Sequence, residues 1–216
     1  MSNGNTKNAE NSENAGYRDR IEARVADLRA TPGFTVRAFE IAPPLGRDGI
    51  EGVRAAVHGH LPEGLAEFHA ELDGFLLDWE YTEPGASGPA TDFGSLHFLP
   101  LAKVFADGLG DTWYDDFEGG DRFRAVKPFD VYAPEACAAF LQEPDSAPQD
   151  PVYFHYFGEA LEPLDLTFPQ YVEGALSACG YVNWRMALTP DDPGLPEARR
   201  TLERMREIVP GFRELP

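Results

Sequence analysis

The sequence predicts an α+β domain, and three observations carry that expectation. Apolar residues recur at helical spacing near both ends of the 216-residue chain. Between them run several short segments rich in aromatic and β-branched residues. Hydrophobic residues make up 43% and aromatics 12%, with fifteen Phe, eight Tyr and three Trp, enough apolar volume to bury a real core.

The elements follow in order. The first sixteen residues are Asn, Ser, Gly and Glu with almost nothing to bury, and they read as a disordered Asn-rich tail ahead of one domain over 17–216. Tyr17, Ile21, Val25 and Leu28 then mark an amphipathic helix over about 17–30, closed by Thr31-Pro32-Gly33. FTVRAFEI (34–41) reads as a strand, ended by Pro43-Pro44. Ile50, Val53 and Val57 share one helical face. A second helix restarts at Leu61-Pro62, where Pro suits a first helical position, and carries the stripe Leu65, Phe68 and Leu72. Asp73-Gly74 stops it, with Gly74 expected in a left-handed C-cap.

FLLDWEY (75–81) alternates as a strand, and TEPGASGPATD is a loop. SLHFLPL (95–101) and FRAVKPFDVYA (123–133) read as strands, the latter an edge or a bulge because Pro128 cannot donate to a ladder. EACAAFLQE has an ambiguous pattern that favours a strand, PVYFHYF (151–157) is a strand, and FPQYVEGALSACGY (168–181) is a helix ended by Gly180. The last helix turns Leu202, Met205 and Ile208 to one side.

Charge is the most informative bulk property. The formal net charge is −19, and from Leu61 to Gln170 there are 22 acids against four bases, Lys103, Arg122, Arg124 and Lys127. The two flanks together are nearly neutral. Such a field repels nucleic acid and anionic membrane and attracts cationic partners within a Debye length of roughly 8 Å. The opening residues have no apolar signal-peptide core, no stretch has the length of a membrane span, and Cys137 and Cys179 lack C-x-x-C spacing. The expected location is a reducing cytoplasm.

Catalytic and metal patterns are sparse. His58 and His60 point apart if helical, because i and i+2 do not share a face, and no third ligand stands at metal-site spacing. The acids of GDTWYDDFEGGDRF do not follow the calcium-loop order, no serine sits in a nucleophile elbow, and Gly119-Gly120 is followed by no phosphate-binding Lys. Neither catalytic residues nor a cofactor are expected. A carboxylate-based enzyme is the weaker alternative. The same stretch instead suggests a protein-binding surface: Trp113 and Tyr114 among Asp111, Asp115, Asp116, Glu118 and Asp121. Aromatic anchors concentrate binding energy, and surrounding charge selects the encounter.

LPEGLAEFHAELDGFLLDW resembles the signature of the SUKH superfamily, which includes bacterial toxin-immunity proteins and fungal cell-wall regulators. Leu99-Pro100-Leu101 with Val104-Phe105, Lys127-Pro128-Phe129-Asp130, Tyr153-Phe154, Phe168-Pro169-Gln170-Tyr171-Val172 and Gly180-Tyr181-Val182-Asn183-Trp184 follow in the family's order. The resemblance covers about 50–184. It implies a strongly twisted, mainly antiparallel sheet packed with helices, with Leu61, Pro62, Phe68, Gly74 and Trp79 as scaffold and no catalytic residues. The function it implies is an immunity protein neutralising a cognate, basic, nuclease-type toxin domain, or alternatively a regulatory adaptor for host proteins.

Overall fold

A computed structural model describes residues 15–106, 120–133, 136–156, 161–188 and 196–216, the side chains of 120–122 excepted. The first fourteen residues of the expected tail lie outside the described residues. Gly16, assigned to that tail, is the N-cap of the first helix.

The architecture is α+β. Among the described residues seven strands form one antiparallel sheet in simple sequence order: β1 Phe34–Ile41, β2 Phe75–Tyr81, β3 Asp92–Phe98, β4 Val126–Ala133, β5 Ala136–Leu141, β6 Tyr153–Tyr156 and β7 Leu161–Pro163. Among the described residues six α-helices accompany it: α1 Tyr17–Ala30, α2 Arg47–Ala56, α3 Leu65–Glu71, α4 Leu101–Val104, α5 Phe168–Ala178 and α6 Pro196–Ile208. The described residues also hold two 3₁₀ segments, Gly120–Ala125 and Trp184–Leu188. None of these helices is long and apolar enough to cross a membrane.

The main core lies on one side of the sheet. The alternation of β2 buries Phe75, Leu77, Trp79 and Tyr81 and turns Leu76, Asp78 and Glu80 the other way. Ile21, Val25 and Leu28 of α1, Leu65 and Phe68 of α3, and Phe168, Tyr171 and Val172 of α5 pack onto this inner face. The ring of Phe68 lies within 5.2–6.5 Å of those of Tyr17, Phe75, Phe98 and Phe168, an aromatic cluster that orients the helices. Leu61, Pro62, Phe68, Gly74 and Trp79 are all buried.

Several expectations need correction. The helix expected from Leu61-Pro62 begins at Leu65, with Pro62 accepting from the Leu65 amide in the preceding turn. It ends at Glu71 with Leu72 already extended, so Gly74 is not its C-cap. Gly74 does take φ +97°, but for another reason. A Cβ there would lie 2.4 Å from the carbonyl oxygen of Phe98, because the backbones cross at this point. Asp73 accepts from the Leu101 amide at 2.9 Å and lies 2.8 Å from His69 Nδ1, tying α3 to the start of α4.

Strand β3 begins at Asp92, three residues before the segment expected, and Leu101 starts α4 instead of ending the strand. Pro128 marks a bulge and not an edge, since β4 pairs with β3 on one side and β5 on the other. At the end of α5 it is Cys179, φ +50°, that takes the left-handed cap, followed by Gly180 at φ +68°.

Candidate functional site

The aromatic acidic stretch proposed as the binding surface falls mostly beyond the description. Asp111, Trp113, Tyr114, Asp115, Asp116 and Glu118 lie outside the described residues, as does the side chain of Asp121. The acids elsewhere divide into two sets, those consumed inside the fold and those left on the exterior.

The first interior knot centres on Asp130, which is fully buried. The ladder between β3 and β4 has one paired position, Phe98 with Asp130, because the bulge after Pro128 throws the strands out of register. The side chain fills the gap. Asp130 Oδ1 accepts from the His97 amide at 2.8 Å, while Oδ2 accepts from Tyr171 Oη at 2.7 Å and from the guanidinium of Arg185. Arg185 donates also to Tyr171 Oη at 2.5 Å, and its guanidinium lies 3.3 Å from the Tyr132 ring centroid. Burial alone would lower the pKa of Arg185, but Asp130 and the two tyrosines more than reverse this, so the cation persists in the core. The knot joins β4, α5 and the 184–188 segment and offers no accessible reactive atom.

The second knot holds α6. Arg204 donates to both Asp92 carboxylate oxygens, at 3.2 and 2.9 Å, and to Glu83 Oε1 at 2.7 Å. Tyr181 Oη and Thr91 Oγ1 donate to the same aspartate at 2.5 and 2.8 Å. Burial raises the pKa of Asp92, but the bonds from Arg204, Tyr181 and Thr91 outweigh it and leave the carboxyl below its ordinary value.

These knots have a consequence for the charge pattern. Arg37, Arg185 and Arg204 come from the nearly neutral flanks, yet they pair with Glu80, Asp130, Asp92 and Glu83 of the acidic middle. Part of the charge step along the chain therefore cancels in three dimensions. What remains is exterior. Glu63, Glu67, Glu143, Asp145 and Asp165 are exposed and Asp78 is half-buried, none with an ion-pair partner among the described residues.

The outer side of the sheet differs between its halves. Over β4–β6 it is covered: Phe123 packs with Val126, Cys137 and Ala139 in a second apolar cluster, and its ring lies 4.9 Å from that of the buried His155. Over β1–β3 the register places three cross-strand rows on this side. They are Thr35–Glu80–Phe93, Ala38–Asp78–Ser95 and Glu40–Leu76–His97, with Arg37 as the extra residue of a bulge in β1. Phe93 is 55% exposed and Arg37 60%, and Arg37 donates to Glu80 at 2.9 and 2.6 Å. The sequence reading missed Phe93 because it started β3 at Ser95. The alternation of DFGSLHF, continuous with that of FLLDWEY, carried the signal.

The remaining chemistry-bearing residues are scattered. His58 and His60 are exposed in the turn after α2, with His60 Nε2 3.1 Å from Asp150 Oδ1. His69 and His155 are buried. Among the described residues no three His, Cys, Asp or Glu side chains converge as metal ligands. Cys137 and Cys179 are buried free thiols, and burial pushes both up in pKa, away from the reactive thiolate. A groove of about 500 Å³ between α1, α5 and the C-terminal segment is lined by both signs of charge, Asp19, Asp27 and Glu173 beside Arg20, Arg24 and Arg213. In comparisons with known proteins, no family model matches the chain and no curated protein matches it.

Proposed function

We propose that the protein is a non-catalytic, cytosolic protein-binding domain of the immunity type, which neutralises a basic toxin domain by docking against it. The observation that carries this reading is the residue of charge left after folding. Flank arginines pair with the interior Asp130 and Asp92 and with Glu80 on the outer face, and carboxylates without a cation among the described residues still populate the exterior. A surplus of that sign speeds and selects encounters with a basic partner and disfavours nucleic acid. The resemblance of the 50–184 segment to the SUKH superfamily supplies the toxin as the class of partner.

Co-expression tests the reading. Producing this chain together with a basic nuclease-type toxin domain from its own host is expected to restore growth, and the two purified proteins are expected to form a complex. A toxin that kills regardless and fails to associate would overturn the immunity assignment.

A further inference from the structure

The open half of the sheet specifies where a partner would sit and what it would bring. Resting on the docking function above, we propose that the outer face of β1–β3 receives a cationic segment of the partner protein, with Phe93 as the apolar anchor and Asp78 and Glu40 as the charge receptors.

Three observations converge on this face. The first is coverage. The chain spends the 120–125 segment on closing the β4–β6 half, whereas Phe93 on the other half keeps 55% of its surface exposed.

The second is rigidity. Phe93 sits on a strand whose backbone is held on both sides, paired with Glu80 of β2 on one edge and accepting from the Val182 amide at 2.9 Å on the other. An anchor fixed in this way loses little conformational freedom on binding. The β2–β3 register is unbroken from Phe75↔Phe98 to Tyr81↔Asp92.

The third is charge. Glu40, Asp78 and Glu80 face outward, and Arg37, the one Arg or Lys on the face among the described residues, is taken by Glu80. Two carboxylates are left without a cation among the described residues. Diagonal neighbours on adjacent strands stand roughly 7–8 Å apart, a separation that two basic side chains of one extended or helical segment can match. Nucleic acid and anionic lipid are disfavoured by the same charges. The nine paired positions span roughly 10 Å by 14 Å, well under the approximately 800 Å² that each side of a standard interface buries, so the partner extends beyond them.

The probe is a short peptide of arginines interspersed with leucine, titrated at low salt into the isotope-labelled full chain and followed by amide chemical shifts. Shifts clustered at 35–40, 76–80 and 93–97 are expected. The paired substitution Asp78→Asn and Phe93→Ala should weaken binding about tenfold, while Glu63→Gln on the far side of the fold should change it little. Amide spectra of each variant establish that the fold is retained. Shifts gathered instead around Glu63, Asp150 and Asp165, with the paired substitution silent, would overturn this surface and leave charge-driven docking standing. No binding of the peptide anywhere on the chain would remove the docking reading itself.

Discussion

At the scale of single residues, polar side chains hold this fold where the backbone ladder fails. Asp130 compensates the bulge that Pro128 imposes, and Arg185 pairs with that carboxylate in the core. Removing one partner strands a buried charge, so Arg185→Met is expected to cost about 3–5 kcal/mol in urea unfolding. Replacing both, with Asp130→Leu added, should recover much of that loss. A double variant no better than the single would place the energy in Arg185 packing and not in the pair.

Trp79 is the apolar counterpart. Its Nε1 donates to the Cys179 carbonyl at 2.7 Å, and a Cβ at Gly94 would lie within 2.5 Å of its indole. Trp79→Ala should cost about 3–5 kcal/mol through the cavity it leaves, and Gly94→Ala about 1–3 kcal/mol through overpacking. Both are readable as shifts in the urea midpoint.

At the scale of elements, periodicity was the dependable part of the sequence. The stripe Tyr17, Ile21, Val25 and Leu28 located α1, and the alternation of FLLDWEY located β2 and its two faces. Boundaries set by tertiary contact were not legible. Gly74 read as a helix cap because a left-handed glycine suits one, whereas the crossing with the Phe98 backbone dictates it. Strand β7 has three residues and is defined by pairing with β6 more than by its own pattern. The pairing of Arg185 with Asp130 spans 55 positions and leaves no local trace. The open face was half legible: its β2 column was plain, and its Phe93 corner was lost with the true start of β3.

The attachment of α6 yields a prediction at this scale. Because the pKa of Asp92 is lowered by folding, the stability it contributes is fully present above the ordinary carboxyl value of about 4 and is lost as pH falls through the lower folded value. Unfolding measured from pH 6 down to pH 2 should show this loss in the parent. Asp92→Asn should begin less stable at pH 6 and decline less steeply below pH 4. Equal slopes in the two proteins would remove Asp92 from the attachment of α6.

For the whole molecule, the central matter is how a chain with a formal charge of −19 distributes it. Folding pairs flank arginines with mid-chain acids, which redistributes the charge and leaves the net negative surplus unchanged around an aromatic scaffold. The measurement that tests this account most directly is the association rate with the basic partner across a salt series. The account predicts a steep fall in rate from low to physiological and higher ionic strength, with dissociation changing far less. An association rate that stays flat over the series would contradict it.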